Sequence, residues 1–345
     1  MVLLSLLLGN YLLSTKRNYA LTCYFFCLAI HTAIRLTGDL SDLPILYSSS
    51  NTLRFIYAPL VYLAIKELLY QDFSYHWKSF LHALPFVISL SADLLPKMPD
   101  FNTSVLVGPI SIIYLIASYR LLLQFNDDVA NTRSSGSPRG VRWLQRVLHI
   151  YSLLIVFELI RFLTGYMGID NYSTNLFSHA VFIVALSIFL SLLVYQSMRS
   201  PTLLPAIDGE EKAITLAART FNHSSPQASS QQQKQLELQL NNYMAEHKPF
   251  LNPQLTVKEL AANMGVASRS LSEVINHYYQ CNFSEFINKA RVEEAKLLIA
   301  DKSQQDTPLL DIGLAAGFNS KTSFNVMFKR FTGQTPSSHR QQLSD

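Results

Sequence analysis

Residues 255–275 read LTVKELAANMGVASRSLSEVI, and the spacing within this stretch decides the fold of the C-terminal part of the chain. Thr256-Val257-Lys258-Glu259 has the form of a capping box, in which a hydroxyl satisfies an orphan helix N–H and a glutamate three residues on reaches back. Leu260, Ala261 and Met264 then give a short helix one apolar stripe. Gly265 stands where a tight turn needs positive φ. Ser268 is placed to cap a second helix, SRSLSEVINHYY, with Leu271, Val274 and Ile275 inward and Arg269, Ser270, Ser272, Glu273 and Asn276 outward. The spacing predicts helix, short turn, helix, with a polar outer face on the second helix.

The pattern recurs about fifty residues later. Thr307-Pro308 reads as an N-cap with proline at the first helical position. Ile312, Ala315 and Ala316 form the stripe and Gly317 is the turn residue. A second helix runs from Ser320, with Phe324, Met327 and Phe328 inward and Lys321, Thr322, Asn325, Val326 and Lys329 outward. Between the two units lies one long helix, EFINKARVEEAKLLIAD, capped by Asn282 with Glu285 at its third position. It fixes the separation of the two outer faces, which suits successive major-groove turns of a DNA duplex roughly 34 Å apart. Thr335-Pro336 opens a final short helix, and residues 235–246 form a helix upstream with Leu236, Leu240 and Tyr243 on one stripe.

Working outward, the composition of the 345 residues splits near position 200. Residues 1–199 are dominated by Leu, Ile, Val, Phe and Tyr, whereas the remainder is rich in Gln, Asn, Ser, Lys and Glu. Of the 28 Lys and Arg, 14 lie in residues 1–199, against 10 of the 24 Asp and Glu, so the net charge of +4 belongs to the apolar half. The polar half is formally neutral, which excludes a domain that finds nucleic acid by bulk charge alone.

Apolar runs of about twenty residues are long enough to cross ~30 Å of hydrocarbon. Six reach or approach that length, at 19–38, 53–70, 79–96, 104–124, 147–168 and 175–198, and residues 1–14 form a shorter seventh. Segment 1–14 lacks the basic leader and small-residue cleavage site of a signal peptide. The expectation is an all-α chain, with a seven-helix transmembrane bundle over residues 1–199, a flexible linker over 200–235, and a two-unit domain over 236–345. Lys and Arg accumulate on the cytoplasmic side of a membrane protein. With seven spans, Lys16, Arg17, Lys66, Lys78, Arg120, Arg133, Arg139, Arg142, Arg146 and Arg199 share one side. The other side holds Lys97 beside Asp39, Asp42, Asp93, Asp100 and Asp170. That asymmetry puts the C-terminal domain in the cytoplasm and makes the lipid membrane a partner, the expected location being a bacterial inner membrane.

Ionisable groups inside such spans are costly and are usually paired or functional. His31 and Arg35 share a helix face, Arg54 opens the third span, Glu158 and Arg161 are three apart, and His179 begins the seventh. These six are candidate signal-binding residues in an outward-facing pocket for a small signal. The alternative is an internal Glu158–Arg161 pair with the other groups reaching to the interface. Cys23, Cys27 and Cys281 form no C-x-x-C pair and read as small buried hydrophobes. There is no H-E-x-x-H, G-x-S-x-G, P-loop or kinase set. The expectation is therefore no catalytic residue, no cofactor and no metal. A transporter or enzyme with an accessory DNA-binding tail is the competing reading.

From about 236 to 341 the chain resembles the AraC/XylS-type DNA-binding domain. The resemblance is carried by LTVKELAANMGVASRSLSEVI, NFSEFINKARVEEAKLLI and DIGLAAGFNSKTSFNVMFKRFTGQTP, and within the last by Gly317-Phe318-Asn319-Ser320, Phe324, Phe328-Lys329, Gly333 and Thr335-Pro336, followed by Arg340. Gln280 stands where the family usually has a helix-ending Gly, and Gly313 where Ala is usual. The apolar half is similar to a variant with a multi-span sensor, on strings such as Pro59-Leu60-Val61-Tyr62 and His82-Ala83-Leu84-Pro85. The resemblance implies a transcription regulator that binds double-stranded DNA. Arg269, Ser272 and Glu273 of the first unit and Lys321, Thr322 and Asn325 of the second would meet bases, with Ser270 and Asn276 on the same outer face. Ser320, Lys329 and Arg340 would meet phosphates. A homodimer is expected because residues 250–345 carry 10 basic and 9 acidic groups, a balance that makes one copy bind weakly. RNA polymerase is a candidate partner.

Overall fold

The structure, a computed structural model, describes residues 2–14, 18–41, 52–94, 103–135, 139–168, 206–223 and 231–344, with isolated residues between 177 and 188. Every element among the described residues is helical, as expected for an all-α chain. The chain divides into two compact units. The first comprises residues 1–124 and 139–206, the second residues 125–138 and 207–345.

The first unit is built from α1 (Val2–Ser14), α2 (Tyr19–Ser41), α3 (Arg54–Leu69), the short α4 (Trp77–Phe80), α5 (Leu84–Leu94), most of α6 (Val107–Thr132) and α7 (Arg139–Tyr166). α1 lies against α2, where Gly9 lets the Phe26 ring approach: a Cβ on Gly9 would stand 3.2 Å from it. Leu12, Leu21, Tyr24, Phe25, Leu28, Leu60 and Leu63 form the core, with Val147, Tyr151 and Leu154 of α7 packed on it. Polar groups satisfy the start of α2. Glu67 accepts from the backbone N–H of Tyr19 (2.9 Å) and Ala20 (3.2 Å). Asn18 accepts from Leu21 N–H and donates to the Ala64 carbonyl, both at 2.9 Å.

The seven-helix transmembrane bundle expected over residues 1–199 is not seen among the described residues. Among the described residues, two helical segments are long and apolar enough to cross a membrane, Val107–Thr132 and Val141–Tyr166. Val2–Ser14 and Tyr19–Ile34 are shorter apolar helical segments. The stretch expected at 79–96 is broken: a 3-10 turn over Leu81–Ala83 separates α4 from α5. Pro85, in the first turn of α5, accounts for the break, because it has no N–H to continue a helix from upstream. The seventh span, 175–198, lies outside the described residues apart from scattered positions, as do Lys16, Arg17, Lys97, Arg199 and much of the linker.

In the second unit, α8 (Gly209–His223), α9 (Gln231–His247), α10 (Val257–Met264), α11 (Ser268–Tyr279), α12 (Phe283–Ala300), α13 (Leu309–Ala315), α14 (Lys321–Thr332) and α15 (Pro336–Ser344) follow in order, joined by the end of α6. α12 carries the capping box expected of it, with Asn282 Oδ1 accepting from Glu285 N–H and the Glu285 carboxylate accepting in return. Two cores form on it. Phe283 and Ile287 join Leu240, Leu260, Leu271 and Ile275, while Val292, Ala295 and Ile299 join Ile312, Phe318, Phe324 and Phe328. Each fully buried residue of this size contributes about 1.5–3 kcal/mol from apolar burial.

Arg291 sits where the cores meet and is only 2% exposed. Its Nε donates to the Phe250 carbonyl (2.7 Å) and its Nη2 to the Asn252 carbonyl (2.8 Å) and Ser134 Oγ (3.0 Å). Its Nη1 reaches Asn288 Oδ1 at 3.3 Å, and the guanidinium lies 6.0 Å from the Phe318 ring centroid. Ser134 N–H in turn donates to the Leu255 carbonyl at 3.0 Å. Burial pulls the Arg291 ionisation down to about 10, so the group stays charged at neutral pH. Lysine has one compact ammonium in place of a planar fork and cannot serve these acceptors together. Arg291→Lys is therefore expected to cost about 2–4 kcal/mol, read as a lower urea midpoint for the loss of protection at Leu260 and Phe324 amides.

The structure shows the setting of two positions that depart from the pattern of the resemblance. Gln280 ends α11 with φ 50 and ψ 36, the left-handed region, which favours glycine. Gly313 faces Phe324, whose ring would stand 2.7 Å from an added Cβ. Gln280→Gly should stabilise the second unit by about 1 kcal/mol, whereas Gly313→Ala should destabilise it by about 1–3 kcal/mol through overpacking despite alanine's better helix propensity. Opposite shifts of the urea midpoint would verify both; a gain from Gly313→Ala would contradict the packing argument.

Candidate nucleic-acid interface

The first helix-turn-helix unit is α10 and α11. Thr256 Oγ1 caps α10 by accepting from Glu259 N–H at 3.2 Å. The Glu259 carboxylate accepts from Asn252 Nδ2 at 3.1 Å, a partner outside the box. Gly265 takes φ 69, as the turn requires. Ser268 is the first residue of α11 and makes no side-chain cap; the N-cap position belongs to Ala267. Arg269 and Ser270 are exposed, and Arg269 Nε donates to Glu273 Oε1 at 3.0 Å.

Two residues expected on the outer face are not there. Ser272 is 1% exposed and Asn276 7% exposed. Asn276 Nδ2 turns back to the Ser272 carbonyl at 2.8 Å. α8 packs along α11 and its Ile214 enters the core of the first helix-turn-helix unit.

α8 lies within the stretch expected as a linker, and its ends are built. Asp208 Oδ1 accepts from Glu211 N–H (2.8 Å) and Glu211 Oε2 accepts from Asp208 N–H (3.2 Å), a reciprocal cap. Glu211 also takes two hydrogen bonds from Arg133, at 2.9 and 2.8 Å. Asp208 and Glu210 hold Lys258 at 2.8 and 2.9 Å. Burial opposes the charge on both partners, but hydrogen bonds from the Glu211 backbone and Lys258 hold the Asp208 carboxyl below its ordinary range, and the two carboxylates raise Lys258. Lys258 was not among the residues singled out from sequence. The acidic first turn and the amphipathic spacing of residues 209–223 were the available signals.

The second unit is α13 and α14. Ser320 caps α14, accepting from Ser323 N–H at 3.2 Å. Lys321, Thr322, Asn325, Val326 and Lys329 are exposed, as the spacing predicts, above a buried Phe324 and Phe328. Gly317 has φ 91, and a Cβ there would stand 2.4 Å from the Phe250 carbonyl oxygen. Thr307 does not cap α13: its hydroxyl donates to Gln304 Oε1 at 2.8 Å, and Pro308 holds the N-cap position. Ala315 is exposed and Ala316 buried, so the stripe is narrower than expected. Arg340, expected at a phosphate, is half-buried and its Nη2 donates to the Thr307 carbonyl at 2.8 Å. That bond ties α15 to the loop before α13.

The expected polar cluster of the apolar half is brought together in part. Arg161 donates to both Glu158 oxygens, at 2.9 and 2.6 Å, and Arg54 Nη1 reaches Glu158 Oε1 at 3.3 Å. His31 Nδ1 is 2.7 Å from the Tyr57 hydroxyl. A cavity of about 350 Å³ in the first unit is lined by His31, Arg54, Tyr57 and Glu158 among mainly apolar side chains. The Arg35 side chain and His179 lie outside the described residues. Cys281 is half-buried, and burial pushes its thiol up to about 11. Among the described residues no group of His, Cys, Asp and Glu is arranged to hold a metal ion.

Residues 260–342 match the family described as a helix-turn-helix domain. A stretch of 102 residues, 30% of this chain, is 34% identical to uncharacterized HTH-type transcriptional regulators of Staphylococcus aureus, strains MSSA476 and N315. The match spans 13% of the length of those relatives. A stretch of 90 residues, 26% of this chain, is 28% identical to the probable transcription factor PqrA of Proteus vulgaris and covers 71% of it. No solved structure gives a significant match. Residues 260–342 are an AraC-type helix-turn-helix domain, and the relatives that share this region are helix-turn-helix transcription regulators.

Proposed function

We propose that the chain is a membrane-tethered bacterial transcription regulator, reading specific double-stranded DNA through α11 and α14 under the control of a signal received in its apolar half. The observation that carries the DNA reading is the face of α14. Lys321, Thr322 and Asn325 stand exposed on a helix whose other side is anchored by Phe324 and Phe328. Lysine suits guanine O6 and N7, asparagine suits adenine, and the exposed Val326 suits a thymine methyl. Lys329 and the helix start at Ser320 suit phosphates, which position the protein without specifying sequence. On α11, Arg269, Ser270, Ser272, Glu273 and Asn276 are the corresponding set, of which Ser272 and Asn276 are buried. The near balance of charge in residues 250–345 favours a homodimer or adjacent sites over a single copy, with RNA polymerase as a candidate partner.

The tether rests on exposure. Within the apolar windows of α6 and α7 only 17% and 6% of residues are buried, and Ile113, Leu153, Val156 and Ile160 are exposed. A helix that is apolar yet uncovered belongs in lipid or against a partner, whereas a soluble core helix would be covered. The seven-span arrangement with Lys and Arg turned to the cytoplasm is the reading that places the DNA-binding domain beside the chromosome. For the signal, the 350 Å³ cavity suits an apolar body, and two guanidiniums on one carboxylate suit an anionic head. Arg35 and His179 belong to this assignment as the sequence placed them.

Genome-wide occupancy of the full-length protein tests the DNA reading. Asn325→Ala is expected to lose roughly tenfold at preferred sites and to relax specificity there, whereas Lys329→Ala should weaken all sites alike and reduce the salt slope by about 1. Absence of any enriched site would remove the reading. Arg54→Gln and Arg161→Gln are expected to leave the occupied sites in place but change signal-dependent expression of the adjacent genes. Expression identical to wild type across growth conditions would take the cavity out of the mechanism.

A further inference from the structure

We infer that α8 is a built-in occupant of the first reading helix, and that α11 enters a DNA groove only after α8 has left it. This rests on the reading of α11 as a base-contacting helix. A major groove is about 12 Å wide and an α-helix with its side chains about 10–12 Å across, so the groove admits one helix and not two side by side. With α8 laid along α11, that limit is exceeded.

The two units of the same chain provide the comparison. On α14 the positions facing outward are exposed. On α11 the matching face is interrupted, with Ser272 and Asn276 buried. The difference does not arise from the core of the first helix-turn-helix unit, since Leu271, Val274 and Ile275 already fill the inward side. Ser272 and Asn276 project elsewhere, and a serine and an asparagine are poor choices for a permanent core position. Small polar side chains suit a face that is covered at one time and hydrogen-bonded to bases at another.

The contacts that hold α8 are polar and reversible. Asp208 and Glu210 take the ammonium of Lys258, so carboxylates stand against a cation of the first helix-turn-helix unit that phosphates would otherwise attract. Glu211 takes Arg133, just beyond the end of α6. Of the apolar residues described in α8, Ile214 is the one buried in the core, while Leu216 is exposed. The remaining members of that core come from α9 to α12 and the intervening turns, so the first helix-turn-helix unit keeps its centre when α8 departs.

The test is selection of binding sites from a pool of random 40-bp DNA duplexes by the full-length protein in lipid nanodiscs. Wild type should select a single short element read by α14. Ile214→Asp should select two elements one helical turn apart and bind the enriched duplexes at least about tenfold more tightly. The sign is informative, because an added carboxylate on a DNA face otherwise weakens binding. The double variant Asp208→Asn/Glu210→Gln loosens the same clamp at the surface and should move in the same direction. Leu216→Gln, on the exposed side of α8, should behave as wild type. Protected α12 amides in each variant show that the domain remains folded. Equal motifs and affinities within twofold for wild type and both released variants would overturn the inference while leaving the DNA reading intact. Failure of every form to enrich any motif would overturn both.

Discussion

A guanidinium buried among backbone carbonyls organises the C-terminal unit. Arg291 is charged, nearly inaccessible, and bonded to acceptors from three separate stretches of chain. A charge in that position is tolerated only because its donors are satisfied. Its acceptors are backbone and hydroxyl oxygens, so each bond fixes a main-chain position. The turn over residues 250–252, the segment after α6 and the ring of Phe318 are registered on one helix by one side chain. The Phe250 carbonyl is also the atom that a side chain at position 317 would strike, so the second unit's turn glycine and the buried arginine answer to the same carbonyl.

That registration leaves α11 and α14 in unlike circumstances. α12 gives each unit half of its apolar length, and both second helices are anchored by fully buried residues, Leu271 and Ile275 in one, Phe324 and Phe328 in the other. What differs is the outer surface. One carries exposed Lys321, Thr322 and Asn325, the other a second helix held by carboxylate–cation pairs. In a domain with so little net charge, a few local ion pairs have large influence over which cations remain available to phosphates.

The apolar half presents the complementary situation. Its core is well made around Tyr24, Phe25 and Leu63, yet few residues of the apolar stretches of α6 and α7 are fully buried, and Ile113, Leu153, Val156 and Ile160 are exposed. Among the described residues the charged groups Arg54, Glu158 and Arg161 meet each other beside a cavity instead of scattering to the helix ends. The Glu158–Arg161 pair is formed, and Glu158 and Arg54 also line that cavity.

Much of this was legible in the residues themselves. Period-3.6 apolar stripes, the Asn282–Glu285 cap and the turn glycines at 265 and 317 are local signals, because the hydrogen bonds and φ angles they serve lie within a few residues. They determined two helix-turn-helix units on a shared helix, and the exposed face of α14. Tertiary structure alone decided which outward face stays open. Ser272, Asn276 and Arg340 look like surface residues by their spacing, yet Ser272 and Asn276 are buried on a helix that α8 packs along, and Arg340 is half-buried with its guanidinium on the Thr307 carbonyl. It also decided why Gly313 stands where it does, through the Phe324 ring, and it holds Gln280 in a left-handed backbone that glycine would suit better. Periodicity tells which side of a helix seeks a partner; what covers the other side depends on chain far away in sequence, and no local pattern records it.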